Sequence, residues 1–529
     1  MPLQQVTPKP IGWFGIPLTA EGEKNVDFVK ILQEQSRKYP QKPAIIFGES
    51  QISFTQLRDF SLQAAGGLTS LKVGKSDKVA IFLPNAPEYI YSFLGAFSLR
   101  AICVPLDFML TEEEVIHFLK HSESKVLIAC AKKGVDLARV KQSCPQLKEI
   151  IVFGQVPEGN FLPWQGFLKA GISLPEVATD EADPAAIFYT SGSTGHPKGV
   201  LLNYGHLKNP IDTLEYFIQP KDSDSYLCAG VPFSHVGGLD YMLFMLYFGS
   251  TLVLLERFQP LEFLKNIERY KITIFCIVPS MYVAVLSLKE YDKFDLSSLK
   301  YAVVFGAPSS PALLERFHKV CPNAYLLNGW GMTETAAPNS FLPTGTRTRE
   351  IAHTGEFPPG TEAKIVDTEG NSLPNGKDGE LWLRGKAIMS GYYKEPELTQ
   401  EALTADGWLK TGDIARCDSR GRYTIVGRKK EMLKVGGEIV FCPEVEEAIQ
   451  RHPKIQEAAV IGASDKLRGE VPRAFIVLKE GEDLPEEELR YFLRQHLAHF
   501  KIPHYVTFSA ALPKNRVGKI DKERLRDTQ

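Results

Sequence analysis

Residues 189–199, Tyr-Thr-Ser-Gly-Ser-Thr-Gly-His-Pro-Lys-Gly, are the densest run of anion-binding groups in the chain. Thr190, Ser191, Ser193 and Thr194 offer hydroxyl donors. Gly192, Gly195 and Gly199 leave backbone N–H groups unobstructed, so that several can converge on one anion. Lys198 adds a charge, and a strand-like run, Ala185–Phe188, feeds the segment. The composition suits a polyphosphate. The spacing differs from the G-x-x-x-x-G-K-[ST] loop, because Gly199 rather than Ser or Thr follows Lys198. Taken by itself, the run also reads as a flexible Ser/Gly turn.

Other segments carry single groups of suitable chemistry. Glu334 closes Asn328-Gly329-Trp330-Gly331-Met332-Thr333-Glu334. It is a hard oxygen ligand of the kind Mg²⁺ shares with substrate phosphates, or equally a carboxylate favoured at a helix N-terminus. Asp413 in Thr411-Gly412-Asp413 can accept two hydroxyl hydrogen bonds at once, which suits a diol; Gly-Asp is also an ordinary turn. The charged run from Gly427 to Gly437 contains Arg428, Lys430 and Lys434, and such runs are usually solvated. Lys519 ends Leu512-Pro513-Lys514-Asn515-Arg516-Val517-Gly518-Lys519, where a lone lysine would normally be surface decoration.

In this order the segments resemble the signatures of the adenylate-forming superfamily: acyl-CoA synthetases, peptide-synthetase adenylation domains and beetle luciferases. The resemblance covers nearly the whole chain and points to the AMP-dependent CoA ligase branch. It implies that Thr190, Ser191, Gly192, Ser193, Thr194, Gly195 and Lys198 hold the ATP phosphates. Gly306, Ala307 and Pro308 would lie against the adenine. Asn328, Gly329, Trp330, Gly331, Met332 and Thr333 would complete the nucleotide site, with Trp330 standing where most members have Tyr. Glu334 and Thr194 would carry Mg²⁺. Asp413 would bind the ribose, and Arg428 would contact the nucleotide. Lys430 would be a hinge. Lys519 would serve adenylate formation, and Lys434 the second half-reaction, beside Gly436 and Gly437 on the pantetheine side. Asn515 stands where the pattern usually has Thr.

The activity so implied joins a carboxylic acid to ATP, giving acyl-AMP and pyrophosphate, and then passes the acyl group to coenzyme A. The barrier is largely electrostatic, so positioning and charge neutralisation by Mg²⁺, Lys198 and Lys519 would carry the chemistry. The expected acyl pocket comprises His235, Val236, Gly238, Tyr241, Gly331, Ala336 and Ala337, with His235 near the carboxylate. Amino-acid-activating relatives have Asp where this chain has Val236. A buried charge would need a partner, so a fatty or aromatic acid is favoured. A loader of carrier-protein thiols, a luciferase-like oxygenase and a catalytically silent nucleotide-binding regulator are the alternatives. His117/His121 and His496/His499 stand at near-helical spacing without a third ligand and are read as surface histidines.

The elements that must position these groups alternate between strand and helix. Lys78–Leu83, Ala101–Pro105, Thr251–Leu255, Ile272–Ile277 and Tyr301–Val304 read as strands, and Tyr89–Leu99 as a helix. Such alternation implies an α/β protein with largely parallel sheets covered by helices. After about residue 352, turn residues and short alternating strands such as Glu380–Arg384 imply a small antiparallel, barrel-like subdomain reaching 427. Residues 428–431 read as a hinge. Residues 432–529 read as a small mobile α+β domain, with Pro443–His452 and the amphipathic Pro485–Leu497 as helices and Glu457–Ile461 and Arg473–Leu478 as strands. Residues 1–427 are then the large adenylation domain.

Composition narrows the partners. Among 529 residues, 61 are Lys or Arg and 63 are Asp or Glu, a formal charge of −2, which leaves no basic footprint for nucleic acid. The eight cysteines form no C-x-x-C pair, so neither zinc nor a disulfide framework is expected. The first residues lack a signal-like apolar core, and a cytoplasmic setting is expected. The apolar stretch Tyr241–Leu255 falls short of the roughly 20 residues a membrane helix needs and reads as helix, turn and strand. Peripheral membrane contact and the choice between monomer and homodimer stay open.

Overall fold

The structure is a computed structural model that describes residues 27–174, 180–190, 197–306, 311–341, 354–435, 438–465, 468–515 and 518–526. The chain forms two compact units that alternate along the sequence. One comprises Met1–Arg257, Gly331–Gly345 and Lys386–Thr399; the other comprises Phe258–Trp330, Thr346–Gly385 and Gln400–Gln529.

The first unit contains an eight-stranded sheet. Its parallel part runs Pro184–Thr190, Ile102–Pro105, Lys78–Phe82, Val126–Cys130, Glu149–Phe153 and Leu162–Pro163 in spatial order. Val79, Ala80, Ile81 and Phe82 are all fully buried, as a parallel strand covered on both faces requires. The run of apolar residues in 78–83 is that requirement written in sequence. Lys198–Asn203 then pairs antiparallel with Pro184–Thr190, and the short strand Gly391–Tyr392 pairs antiparallel with Val200 and Leu201. A second set of strands places Thr251–Leu255 between Ser225–Ala229 and Pro43–Phe47, all parallel.

Local signals start the helices. Ser53 and Gln56 form a reciprocal capping box for helix Phe54–Ser70, and Thr111 and Glu114 do so for Glu112–Ser122. Pro87 opens helix Pro87–Ser98. That helix crosses Phe54–Ser70 so closely that a Cβ at Gly95 would lie 2.9 Å from the Ala64 Cβ. The apolar stretch 241–255 resolves as expected: helix Val236–Phe248, Gly249 with φ +68°, then strand Thr251–Leu255. Among the described residues no helix is long and apolar enough to cross a membrane.

The second unit contains parallel strands Ile274–Ile277, Tyr301–Val304 and Tyr325–Trp330, with helix Pro260–Tyr270 before the first and helices Pro279–Leu286 and Pro311–Val320 between successive strands. It also contains the antiparallel sheet anticipated after residue 352: Thr361–Val366, Asp378–Gly385, Leu409–Cys417 and Tyr423–Arg428, in that order. Its last part builds a five-stranded sheet around the long hairpin Ile455–Asp465 and Gly469–Leu478. Alternation decides the two faces. Ala458 and Val460 join the core with helices Cys442–Gln450 and Glu486–Arg494, whereas Ala459 and Ile461 pack with Leu512 and Leu525.

Candidate active site

In the second unit, residues from five segments converge. Asp413 and Arg428 are direct cross-strand partners in the antiparallel sheet, so their side chains share a face. Arg428 Nε lies 2.9 Å from Asp413 Oδ1. Trp330, at the end of its parallel strand, donates its indole N–H to Asp413 Oδ2 at 2.9 Å. Asp413 is buried and Trp330 nearly so. Burial pushes the Asp413 carboxyl up, against the opposing pull of Arg428 and of the Trp330 N–H. The sequence places these two residues 83 positions apart, and nothing in either local pattern announces the bond.

Lys519 reaches the same place. Its turn is tied internally by Asn515, whose N–H donates to the Lys519 carbonyl at 2.7 Å and whose Oδ1 accepts the Lys519 N–H at 3.0 Å. Asn515, the departure from the usual Thr, therefore shapes this turn. Ser280 Oγ donates to the Gly518 carbonyl at 2.5 Å, pinning the turn to the start of helix Pro279–Leu286. Lys519 Nζ then passes over Gly306, 3.7 Å from where a Cβ would stand. Gly306 has φ +84°, a conformation that favours glycine. Burial, reinforced by the Arg428 charge and opposed by Asp413, pushes the Lys519 ammonium down to about 8.

Lys434 is exposed on strand Met432–Val435, and its backbone N–H donates to Glu470 at 3.3 Å. Lys430 is exposed in the 3₁₀ turn Lys429–Glu431. The next residue, Glu431, is anchored by Lys522 at 3.0 Å, and Lys522 also pairs with Glu446 at 2.8 Å. Asn328 and Gly329 are buried in strand Tyr325–Trp330. Ala307, Pro308, Gly436 and Gly437 lie outside the described residues.

In the first unit, Glu334 sits in the 3₁₀ turn Thr333–Thr335, after Gly331 and Met332, and is almost buried. Tyr392 donates its phenol hydroxyl to Glu334 Oε1 at 3.0 Å. Lys198 opens strand Lys198–Asn203 opposite Thr190, and its ammonium lies 5.0 Å from the centre of the Tyr392 ring. Thr190 and Lys198 thus fix the two ends of the hydroxyl-rich loop; Ser191, Gly192, Ser193, Thr194 and Gly195 lie outside the described residues. Below the loop, His121 Nδ1 is 2.7 Å from the Tyr189 hydroxyl. His121 is therefore a half-buried support of the loop's base and not the surface histidine expected, because Tyr189 gives it a partner that helical spacing could not reveal. Tyr392 was missed by sequence reasoning. Its one signal is the adjoining Gly391, at φ +140° under the Thr399 side chain.

The expected acyl-pocket residues share the first unit. Val236, Tyr241, Ala336 and Ala337 are buried. His235 precedes helix Val236–Phe248 with Nε2 3.6 Å from Asp107 Oδ2, a neighbour the sequence did not disclose. Gly238 has a packing reason: a Cβ there would lie 2.0 Å from the Pro232 carbonyl oxygen. At Gly331 a Cβ would lie 2.5 Å from the Ala337 Cβ. Both glycines are required by close packing of the neighbouring chain segments.

The donor set around Glu334 fits Mg²⁺. It offers one nearly buried carboxylate with a hydroxyl neighbour, Thr333, and among the described residues no three His, Cys, Asp or Glu side chains gather to form a protein-only cage. Magnesium shared with substrate phosphates needs no more than that.

Comparison with known proteins supplies the family. Residues 32–393 match the family described as AMP-binding enzyme, and residues 444–519 match AMP-binding enzyme C-terminal domain. The chain belongs to the AMP-binding enzyme family. It is 34% identical over 508 residues to 4-coumarate–CoA ligase 1 of Petroselinum crispum, covering 93% of this chain and 92% of that one. It is 32% identical over 533 residues to a long-chain-fatty-acid–CoA ligase of Bacillus subtilis (strain 168), covering 95% and 94%. Among solved structures, an anthranilate CoA ligase in complex with anthranoyl-AMP superposes with a TM-score of 0.89 at 27% identity, covering 96% of this chain and 98% of that one. Within the family these relatives are acid–CoA ligases that differ in acid, and this chain is likewise an enzyme of the ligase type.

Proposed function

We propose that the protein is an ATP- and Mg²⁺-dependent acid–CoA ligase acting on a fatty or aromatic acid. The observation that carries this is the convergence of Lys519, Asp413, Arg428, Trp330 and Gly306 from separate parts of one unit. A buried carboxylate with one oxygen on an arginine and the other on an indole is preorganised to receive a ribose diol on its remaining lone pairs. Trp330 supplies a ring for the base. Lys519 feels the charge of that carboxylate, forms no direct ion pair among the described residues, and holds its charge at neutral pH, where it can meet an anion.

In the first half-reaction a carboxylate oxygen attacks the α-phosphorus of ATP and pyrophosphate leaves. Lys519 would neutralise the carboxylate and α-phosphate and Lys198 the phosphates, while Glu334, with Thr194 as its loop partner, would hold Mg²⁺, which would supply further charge neutralisation. In the second, the CoA thiolate attacks the acyl carbon and AMP leaves. Lys519 stands beside the ribose carboxylate while Lys434 is exposed, which supports assigning the present arrangement to adenylate formation. Rotation of residues 432–529 about Lys430 would then bring Lys434, Gly436 and Gly437 to the thioester step.

The acid is read from Val236, Gly238, Tyr241, Gly331, Ala336 and Ala337, whose apolar or small side chains suit a hydrocarbon or ring, with His235 assigned to the carboxylate end. The relatives that act on 4-coumarate, anthranilate and long-chain fatty acids support the same two classes. The test is AMP release from ATP and Mg²⁺ with cinnamate-type, benzoate-type and C8–C18 acids, with and without CoA. Acid-dependent AMP that requires CoA supports the ligase. Acyl transfer only to an added carrier protein would replace CoA as the acceptor, and no AMP with any acid would overturn the assignment.

A further inference from the structure

The short strand Gly391–Tyr392 links two functional segments that the sequence keeps far apart. Its register with Val200 and Leu201 seats it on the strand that leaves the phosphate loop. The Tyr393 N–H donates to the Gly199 carbonyl at 2.7 Å, and the Ser390 N–H donates to Leu201 at 3.3 Å. One residue earlier the Met389 N–H donates to the Glu334 carbonyl at 2.9 Å. The backbone of 389–393 is therefore bonded on one side to the carboxylate-bearing turn and on the other to the lysine-bearing strand. Tyr392 repeats this in its side chain, with its hydroxyl on Glu334 Oε1 at 3.0 Å and its ring 5.0 Å from Lys198 Nζ.

We propose that Tyr392 is a positioning residue that orients both Glu334 for Mg²⁺ and Lys198 for the ATP phosphates. The inference rests on the assignment of Glu334 and Lys198 made above. The hydroxyl holds Glu334 Oε1 at 3.0 Å and so limits rotation of the carboxylate that would hold the metal, as hydrogen-bonded partners of metal carboxylates do. The ring face holds the Lys198 ammonium by cation–π attraction and restricts a side chain that otherwise has many rotamers. One residue thus serves two cationic functions through two different parts of its side chain, and the two can be separated by substitution.

Tyr392→Phe keeps the ring and deletes the hydroxyl; Tyr392→Leu deletes both. The measurement is equilibrium binding of ATP by calorimetry, with Mg²⁺ and with EDTA, on each folded variant and on Glu334→Gln. For Tyr392→Phe, ATP affinity in EDTA should match wild type, while the gain on adding Mg²⁺ should shrink about tenfold, toward that of Glu334→Gln. For Tyr392→Leu, affinity in EDTA should also fall, by about threefold or more. If Tyr392→Phe keeps the full wild-type gain from Mg²⁺, or if Tyr392→Leu binds ATP in EDTA as tightly as wild type, the proposal is overturned. If wild type and Glu334→Gln gain equally from Mg²⁺, the assignment of Glu334 itself fails, and that result is distinct from the first two.

Discussion

Lys519 offers the sharpest test of the site. Its ammonium is pushed down to about 8 from an ordinary lysine value of 10.5, first by burial and then by Arg428, with Asp413 opposing. In the proposed role, adenylate formation needs the charged form. With that value, about nine-tenths of the free enzyme is charged at pH 7 and about one-tenth at pH 9. The kcat/KM for ATP should therefore fall about eight- to tenfold across that interval, where an unperturbed lysine would lose only a few per cent. Bound polyphosphate favours the charged form, so the limb in kcat should lie at higher pH than the limb in kcat/KM. Lys519→Arg stays charged throughout and should flatten the profile at reduced rate. Linkage supplies an independent readout. A lysine whose folded value is depressed favours folding above the unfolded value, and that contribution is lost as pH falls through the folded value. Here the window runs from 10.5 down to about 8, and at pH 7 the shift corresponds to at most about 3 kcal/mol against folding. Lys519→Met keeps the stem and removes the charge. It should abolish pyrophosphate release, leave thioester formation from supplied acyl-adenylate largely intact, and unfold in urea about 1–3 kcal/mol later than wild type at pH 7, with the difference vanishing toward pH 10.5. A flat kcat/KM profile to pH 10 in the wild type, or a Lys519→Met protein less stable than its parent, would refute the reasoning.

Other expectations follow from neighbouring contacts. Trp330→Phe retains a ring but removes the 2.9 Å donor to Asp413; KM for ATP should rise about fivefold to tenfold with kcat less affected, since a hydrogen bond to a charged group is worth about 1.5–3 kcal/mol before compensation by water. Lys434→Ala should spare acid-dependent ATP–pyrophosphate exchange while slowing CoA-dependent turnover at least tenfold, and equal loss of both would count against separate duties for the two lysines. Lys522→Met leaves Glu431 and Glu446 without their shared cation; chemical denaturation should show a loss of about 2–4 kcal/mol. In the same cluster the Glu431 carboxyl, which burial alone would raise, is held below its usual value by Lys522. Its contribution is present above the ordinary glutamate range and lost as pH falls through that depressed value, so the urea midpoint of Glu431→Gln should fall less steeply than that of wild type as pH drops below about 4.5.

The elements that sequence reasoning found are those whose cause is local. The buried strands at 78–82 and 251–255 are apolar because both faces are covered. Asp413 and Arg428 were singled out by resemblance alone; their pairing across two antiparallel strands, 15 residues apart in sequence, was seen only in the structure. Groups joined by tertiary closure were not legible. Tyr392 meets Glu334 only because a two-residue strand returns to an edge strand, Lys198–Asn203, laid down about 190 residues earlier. His121 meets Tyr189, and Asp107 meets His235, through the packing of separate loops. A periodic pattern encodes which face of an element is apolar, and carries no term for which polar group on another element will face it. The recognisable signatures mark the groups that would touch substrate. The residues that aim them, Tyr392 and Ser280 among them, carry ordinary local contexts, since a hydroxyl can orient a neighbour from any backbone that brings it within about 3 Å.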